Sequence, residues 1–157
     1  MINKFGFACK WIDHAGQVDG IKPTDDCKKY NTGTTTVAWL KRQSRSVAED
    51  KLWSLMKQNI EATRRLVQRV GDLDEHLRMV RVSSDLLPVY THDDYKHFWH
   101  QGDVRDFAAR HFAEIGSICR DRNIRLSFHP GQFCVLASDN PDIVARSIEE
   151  FEYHVDM

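Results

Sequence analysis

Several features that would indicate a location or a function are missing from this sequence of 157 residues. No run of 18 apolar residues occurs, which excludes a membrane-spanning helix. The opening stretch, MINKFGFACKWIDH, lacks the long apolar core of a secretory signal. The four cysteines form no CxxC pair, so their spacing fits neither a zinc ribbon nor a dithiol redox site. We therefore expect a cytoplasmic protein, neither secreted nor in a membrane, with free thiols.

An excess of one charge is also missing, because 22 Lys and Arg residues stand against 23 Asp and Glu residues. This balance argues against a protein that coats nucleic acid by bulk positive charge, although it allows a local basic surface or bound metal ions. Neither a GxxxxGK[ST] phosphate-binding loop nor a GxSxG nucleophile motif occurs. The length and the hydrophobic share of 41% are those of one globular domain.

Three strand-then-helix units can be recognised along the chain. The first begins with an apolar run over 4–9, which predicts a buried strand. A long polar segment, 11–45, follows and is predicted to be a functional loop. Ser46 and Glu49 then form a capping box, which predicts that the first long helix opens there and ends near Gly71.

The second and third units repeat this order. Strands are predicted over 77–82 and 124–128, and the helix between them is predicted to span 103–122 with Asp103 as its N-cap. Asn140 and Pro141 predict the start of a last helix. Its predicted buried face consists of four apolar residues with helical spacing: Val144, Ile148, Phe151 and Val155.

Strands that alternate with helices predict an α/β fold with a parallel sheet between helical layers. In open sheets and closed barrels of this kind, reactive residues lie on the loops after the strands. Three units are too few for a closed eight-unit barrel, which takes about 250 residues. The sequence therefore predicts either a small open sheet or part of a larger barrel.

Two histidines occupy such loops. His129 follows the third strand and precedes Pro130 and Gly131. Proline restricts the backbone and glycine allows a close approach of backbone or ligand, so we expect this turn to hold the imidazole in one orientation. His92 follows the second strand, next to Asp93 and Asp94. Imidazoles and carboxylates at neighbouring strand ends suit Mn, Zn or Fe. The alternatives are a core or capping role for His129 and a solvated polar loop around His92.

A short basic segment is the other candidate contact. Lys41, Arg42 and Arg45 carry the charge that binds phosphates in nucleic acids irrespective of their sequence. The alternative is a charged face that contacts water alone.

Four segments taken together resemble the UV damage endonucleases. They are 5–9 (FGFAC), 31–36 (NTGTTT), 81–88 (RVSSDLLP) and, most specifically, 125–133 (RLSFHPGQF). The resemblance extends over essentially the whole chain and implies a TIM-barrel fold, of which the chain would carry the first three or so β/α units. On this basis 1–157 is the N-terminal part of one barrel domain, with 11–45 as a loop insertion.

The resemblance also implies roles for individual residues. His129 and His92 would be catalytic ligands of a divalent metal cluster, most often manganese, with zinc or magnesium as alternatives. Gln132, Phe133 and Phe7 would probe the DNA duplex at the lesion. Phe7 and Phe133 replace a tyrosine found in some relatives, and the ring face that stacking needs is retained.

The implied activity is DNA repair, by nicking damaged double-stranded DNA on the 5′ side of a UV lesion through metal-assisted phosphodiester hydrolysis. Further ligands lie on later strands of the family's barrel, so that the chain by itself is expected to be inactive and to self-associate through open sheet edges. Two other interpretations stay open: another TIM-barrel metalloenzyme of the sugar-isomerase type, and a non-catalytic half-barrel that binds DNA.

Overall fold

The computed structural model describes residues 4–12, 25–131 and 134–157. Its strands form one parallel sheet in the order β1 (Phe7–Ala8), β2 (Met79–Val82) and β3 (Arg125–Phe128). Val80 on the central strand lies opposite Phe7 on one side and Leu126 on the other. The predicted α/β fold with a parallel sheet is confirmed, although each strand is shorter than the predicted one.

Six helices are present in the described part of the chain. They are α1 (Asp25–Lys28), α2 (Val37–Leu40), α3 (Arg45–Gly71), α4 (Lys96–Trp99), α5 (Gly102–Asp121) and α6 (Pro141–Asp156). Single 3-10 turns precede and follow β2, at Glu75–Leu77 and Ser84–Leu86. Two of the short helices lie in the segment 11–45, which is therefore not loop throughout. None of the described helices has the length and apolarity that crossing a membrane requires.

The start of α3 differs from the predicted capping box. Ser44, not Ser46, is the N-cap, and its hydroxyl accepts a hydrogen bond from the Val47 N–H at 3.4 Å. Glu49 accepts the side-chain Nε–H of Arg45 at 2.8 Å, and not a backbone N–H as a capping box requires. The predicted end at Gly71 is confirmed. The predicted apolar face is also buried: Leu52, Leu55, Met56, Ile60, Leu66, Val67 and Val70.

The predicted cap of α5 is wrong by two residues. The N-cap is Gln101, whose side chain makes no capping bond, and Asp103 lies inside the first turn. An acidic side chain in that position still interacts favourably with the positive end of the helix dipole. The buried stripe of α5 includes Val104 and Ile115, as the periodicity predicts.

The core lies between the sheet and the helices α3 and α5. Helix α3 packs against both α5 and β2. Val80 and Val82 of β2 are fully buried, whereas every residue of the edge strand β3 keeps part of its surface exposed. The face of the central strand that carries Val80 and Val82 is thus covered, whereas Met79 and Arg81 on its other face stay partly exposed.

The last helix begins as predicted but turns a different face inward. Asn140 is the N-cap, its side chain accepts the Asp142 N–H at 2.9 Å, and Pro141 occupies the first turn. The buried residues of α6 are Ser147 and Tyr153, while the predicted apolar face stays largely exposed. Periodicity identifies the apolar side of a helix, but it cannot tell whether another element covers that side.

Candidate functional site

His129 lies directly after β3 with its imidazole exposed. Its Nδ1 is 2.5 Å from the carbonyl oxygen of Pro130. Since a carbonyl oxygen can only accept, Nδ1 carries the proton and donates it, which leaves the lone pair of Nε2 free. Metal-binding histidines commonly have this arrangement, with one ring nitrogen held by a backbone carbonyl and the other presented to the ion. His129 is therefore oriented as a metal ligand would be.

His92 shows the opposite hydrogen-bond pattern. Its Nδ1 accepts the backbone N–H of Asp94 at 3.2 Å, and its half-buried ring lies 5.7 Å from the ring of Tyr95. Because Nδ1 is an acceptor here, the neutral ring carries its proton on Nε2. Nε2 thus offers a hydrogen-bond donor, and ligation through Nε2 would require Nδ1 to release Asp94.

A complete coordination sphere is not present among residues 4–12, 25–131 and 134–157. No group of three His, Cys, Asp or Glu residues in these ranges is placed to hold a metal ion. Even a catalytic zinc site, which needs few protein ligands, has three of them. The described residues therefore provide one well-oriented imidazole at the end of β3 and not a metal centre.

Phe7 belongs to an aromatic cluster beside the sheet edge. Its half-buried ring meets the edge of Trp11 at a centroid distance of 5.4 Å, and Trp11 lies 6.0 Å from Tyr30. The Arg69 guanidinium stands 5.4 Å above the Trp11 ring. The ring of Phe7 thus packs on Trp11, which Tyr30 and Arg69 contact in turn. The other two residues predicted to probe DNA, Gln132 and Phe133, lie outside the described residues.

The three candidate phosphate contacts are exposed and lie between the end of α2 and the start of α3. Lys41 Nζ is 2.8 Å from Asp94 Oδ2, and this pairing raises the pKa of Lys41 and lowers that of Asp94. Arg45 pairs with Glu49, whereas Arg42 extends from the same turn. A phosphate would therefore have to replace carboxylates at Lys41 and Arg45.

Glu49 connects this segment to α4. Its Oε1 accepts from Arg45 Nε and lies 3.1 Å from Nε2 of His97. The Arg45 hydrogen bond, with a smaller contribution from His97, holds the pKa of Glu49 below its usual value of 4.5. A carboxyl group whose pKa is depressed by folding stabilises the protein above its unfolded pKa, and this stabilisation is lost as the pH falls through the folded pKa.

We therefore expect Glu49→Gln to make the protein less sensitive to acid. Between about pH 5 and about pH 3, the free energy of unfolding should fall less in the variant than in the wild type. Urea unfolding across this range measures the difference. Asp50→Asn, which removes one negative charge from an exposed neighbour, is the control. Identical pH profiles for Glu49→Gln and wild type would contradict the role of Glu49.

Two residues that the sequence analysis did not single out hold the loops of the site. Asn59, in the middle of α3, is completely buried. Its Oδ1 accepts from the Gly33 N–H at 2.7 Å, and its Nδ2 donates to the carbonyl oxygens of Gly33 at 2.9 Å and Leu86 at 3.0 Å. One side chain thereby joins the segment after β1 to the loop after β2. In the sequence, Asn59 could have been recognised as a polar residue within the predicted apolar face of α3.

Tyr153 joins α6 to the same loop. Its hydroxyl accepts from the Leu87 N–H at 2.9 Å and donates to the Ser84 carbonyl at 3.1 Å, and its ring stacks on Tyr90 at 4.5 Å. Burial raises the pKa of this phenol far above its usual value, so that it stays neutral and keeps its donor. The loop that carries His92 is therefore fixed by α3 at one point and by α6 at another.

We expect Tyr153→Phe to destabilise the protein by about 1–3 kcal/mol, because the buried Leu87 N–H and Ser84 carbonyl each lose their partner. Urea unfolding gives the energy, and hydrogen exchange at the Leu87 amide should become faster. Tyr30→Phe deletes the same atom from a half-buried tyrosine beside β1 and serves as control. A loss of stability for Tyr153→Phe no larger than that of the control would mean that the hydroxyl of Tyr153 does not stabilise the loop after β2.

Backbone strain occurs in the same loops. Cys9, directly after β1, and Val89, in the loop after β2, have φ values of 65° and 54°. This left-handed region is uncommon for any residue other than glycine and is a clear outlier for a β-branched one. The Val89 carbonyl also accepts from the His92 N–H at 3.1 Å. Strain of this kind concentrates at functional sites, where surrounding structure holds it in place.

The chain is similar in sequence and in fold to proteins of one known family. The family model for UV-endonuclease UvdE matches residues 3–157. A UV DNA damage endonuclease of Bacillus mycoides is 33% identical over 100% of this chain and 44% of its own length, and one of Bacillus cereus is 31% identical over 98% and 43%. The crystal structure of SacUVDE is similar with a TM-score of 0.64 and 23% identity, over 80% of this chain and 38% of that one.

The likeness to SacUVDE shows the fold, and a three-stranded parallel α/β sheet fits part of a TIM-type barrel. The chain spans less than half the length of the two Bacillus relatives. Because the family model covers nearly all of its residues, the chain belongs to the UV-endonuclease UvdE family.

Proposed function

We propose that this chain forms part of a DNA repair endonuclease that nicks UV-damaged duplex DNA on the 5′ side of the lesion. The observation that carries the proposal is the family match over residues 3–157. The position of His92 and His129 after β2 and β3 supports it, because α/β enzymes of this type carry their reactive residues on the loops after the strands.

In this proposal His129 is a ligand of a divalent metal, with manganese favoured over zinc and magnesium. Its support is the free lone pair of Nε2, which the Nδ1–H bond to Pro130 leaves available. His92 would become a second ligand once its Nδ1 gives up the Asp94 N–H. The described residues do not complete the sphere, so the remaining ligands come from elsewhere. When bound, the metal would activate water and stabilise developing charge on the phosphate.

Contacts with DNA are assigned to two groups of residues. Lys41, Arg42 and Arg45 would hold backbone phosphates, since their exposed charges lie together on one turn. Phe7, together with Gln132 and Phe133, would probe the duplex at the lesion. A damaged base pair costs less to unstack, so deformability would favour the lesion over intact DNA.

The test uses a chimera in which these 157 residues replace the matched part of the Bacillus mycoides relative. The chimera is incubated with Mn²⁺ on a duplex with one UV photoproduct and on the same duplex undamaged. We expect a nick on the 5′ side of the photoproduct that EDTA abolishes. The 157-residue chain alone is expected to leave both duplexes intact, because it lacks a third ligand among its described residues.

Each rival interpretation gives a different result in this assay. A metalloenzyme of the sugar-isomerase type would bind the metal without nicking either duplex. A non-catalytic DNA-binding module would bind the duplex and leave it intact in the presence of Mn²⁺. Equal nicking of damaged and undamaged DNA, or nicking that persists in EDTA, would contradict the proposal.

A further inference from the structure

Arg81, on the central strand β2, has a charged side chain without a partner. Its Nε is buried and makes no hydrogen bond. Among residues 4–12, 25–131 and 134–157, no carboxylate forms an ion pair with its guanidinium group. Burial of a charged group without a partner costs free energy, so such groups in proteins usually receive an ion or a ligand. Arg81 is therefore placed to receive an anion.

The sheet presents Arg81 on the face that points away from the core. Val80 and Val82 are buried on one face of β2, and the alternation of side chains along a strand puts Arg81 on the other. Its neighbours in the same row are Ala8 on β1 and Ser127 on β3, which both have short side chains. The row thus leaves space on both sides of the guanidinium group.

The position of Arg81 brings it close to the candidate metal ligand. Ser127, its partner in the register, precedes His129 by two residues, which corresponds to about 7 Å along an extended chain. Arg81 also lies just before the loop that carries His92. Both histidines follow strands, at the end of the sheet where α/β enzymes of this type carry their reactive residues. Arg81 is therefore one strand across from His129 and one step behind it.

The chemistry of the guanidinium group selects the kind of anion. Its planar fork of N–H donors matches the oxygens of a phosphate or a carboxylate. Arg81 keeps part of its surface exposed, so an anion can reach it from solution. Lys41 and Arg45 differ from it, because both are already paired with carboxylates. A phosphate bound at Arg81 would replace no carboxylate among the described residues.

We propose that Arg81 binds the non-bridging oxygens of the phosphate that is cleaved. This inference rests on the proposed nuclease function. In the hydrolysis, a water oxygen bonds to phosphorus, the bond from phosphorus to one sugar oxygen breaks, and that sugar oxygen takes the proton that the water releases. Donors fixed at the non-bridging oxygens stabilise the transition state of such a step. Arg81 is thus a catalytic residue that contacts the substrate, beside the metal that His129 would hold.

The first experiment measures nicking by the chimera that tests the proposed function. Arg81→Gln should lower the rate constant for nicking by about 100-fold, as loss of a donor to a developing oxyanion does. Arg81→Lys keeps the charge without the fork, so its rate should lie between the two. Arg81→Gln should not lower Tm, because no partner within the protein is lost. The control is Arg125→Gln, an exposed arginine beside Met79 at the other end of the same sheet face, which should match wild type.

The second experiment measures the affinity for DNA in EDTA, where no nick is expected. One duplex carries an uncharged methylphosphonate in place of the phosphate on the 5′ side of the photoproduct. Arg81→Gln and the methylphosphonate should each weaken binding by about tenfold, and both together by the same factor, because they remove one interaction. A methylphosphonate several nucleotides away is the control, and its effect should multiply with that of Arg81→Gln.

The results separate this inference from the proposed function. Effects of Arg81→Gln and the methylphosphonate that multiply at the cleaved phosphate would overturn the inference, as would nicking by Arg81→Gln within about threefold of wild type. A lower Tm together with weaker Mn²⁺ binding in Arg81→Gln would mean that Arg81 holds a carboxylate of the protein, and would also overturn it. A wild-type chimera that binds the duplex without nicking it would contradict the proposed function, and the affinities would still decide whether Arg81 binds this phosphate.

Discussion

Asn59→Leu is expected to lower the free energy of unfolding by about 3–5 kcal/mol. Leucine has nearly the same shape, so the loss comes from the backbone groups that Asn59 satisfies rather than from a cavity. The Gly33 N–H and the carbonyls of Gly33 and Leu86 lose their partner in a region where Asn59 itself has no contact with water. Each buried polar group left without a partner costs about 1–3 kcal/mol.

Such a loss would be a large share of the total stability, which is about 5–15 kcal/mol for a domain. Urea unfolding followed by circular dichroism measures it. The control is Gln58→Leu, the same amide-to-leucine exchange one residue earlier, where the side chain is exposed. Hydrogen exchange at the Gly33 amide should quicken in Asn59→Leu alone. If both variants lose the same stability, the hydrogen bonds of Asn59 do not carry the effect.

Local patterns in the sequence were sufficient for the three strands, for the long helices α3, α5 and α6, and for the buried side of α3. The parallel order of β1, β2 and β3 follows from strands that alternate with helices. The row of apolar residues in α3 predicted which side meets the sheet. Patterns of this kind depend on residues close together in the chain, and they need no knowledge of distant partners.

The misassigned caps show where local patterns stop being sufficient. Ser44 and Ser46 are both acceptable N-caps by residue type, and the side chain of Glu49, which would complete the capping box with Ser46, pairs with Arg45 and lies near His97. The exposed face of α6 shows a further limit, since its periodicity is clear but its cover depends on what lies beside it.

The candidate site was predicted in part. The sequence indicated His129 and His92 as strand-end residues, but it gave no indication that Nδ1 of His129 donates to Pro130 while Nδ1 of His92 accepts from Asp94. These hydrogen bonds depend on loop geometry, and they separate two residues that looked equivalent. Asn59 and Tyr153 were missed because their partners are backbone groups in distant loops.

The hydrogen-bond pattern of His129 leads to the second large effect. In the chimera that tests the proposed function, His129→Ala should reduce lesion-dependent nicking by about 100-fold or more. Without this ligand the metal would be held less well, and it would no longer activate water or stabilise charge on the phosphate. DNA binding should change by less than about threefold, because phosphate contacts from Lys41, Arg42 and Arg45 would supply most of the affinity.

Three measurements separate a ligand role for His129 from a structural one: the nicking rate, the affinity for DNA and the binding of Mn²⁺. We expect His129→Ala to weaken Mn²⁺ binding and to leave Tm unchanged, because the imidazole is exposed. His76→Ala removes another exposed imidazole, before β2 at the other end of the sheet, and should match wild type in all three. Equal losses of nicking and DNA binding in His129→Ala would mean that His129 positions the DNA, and unchanged Mn²⁺ binding would exclude it as a ligand.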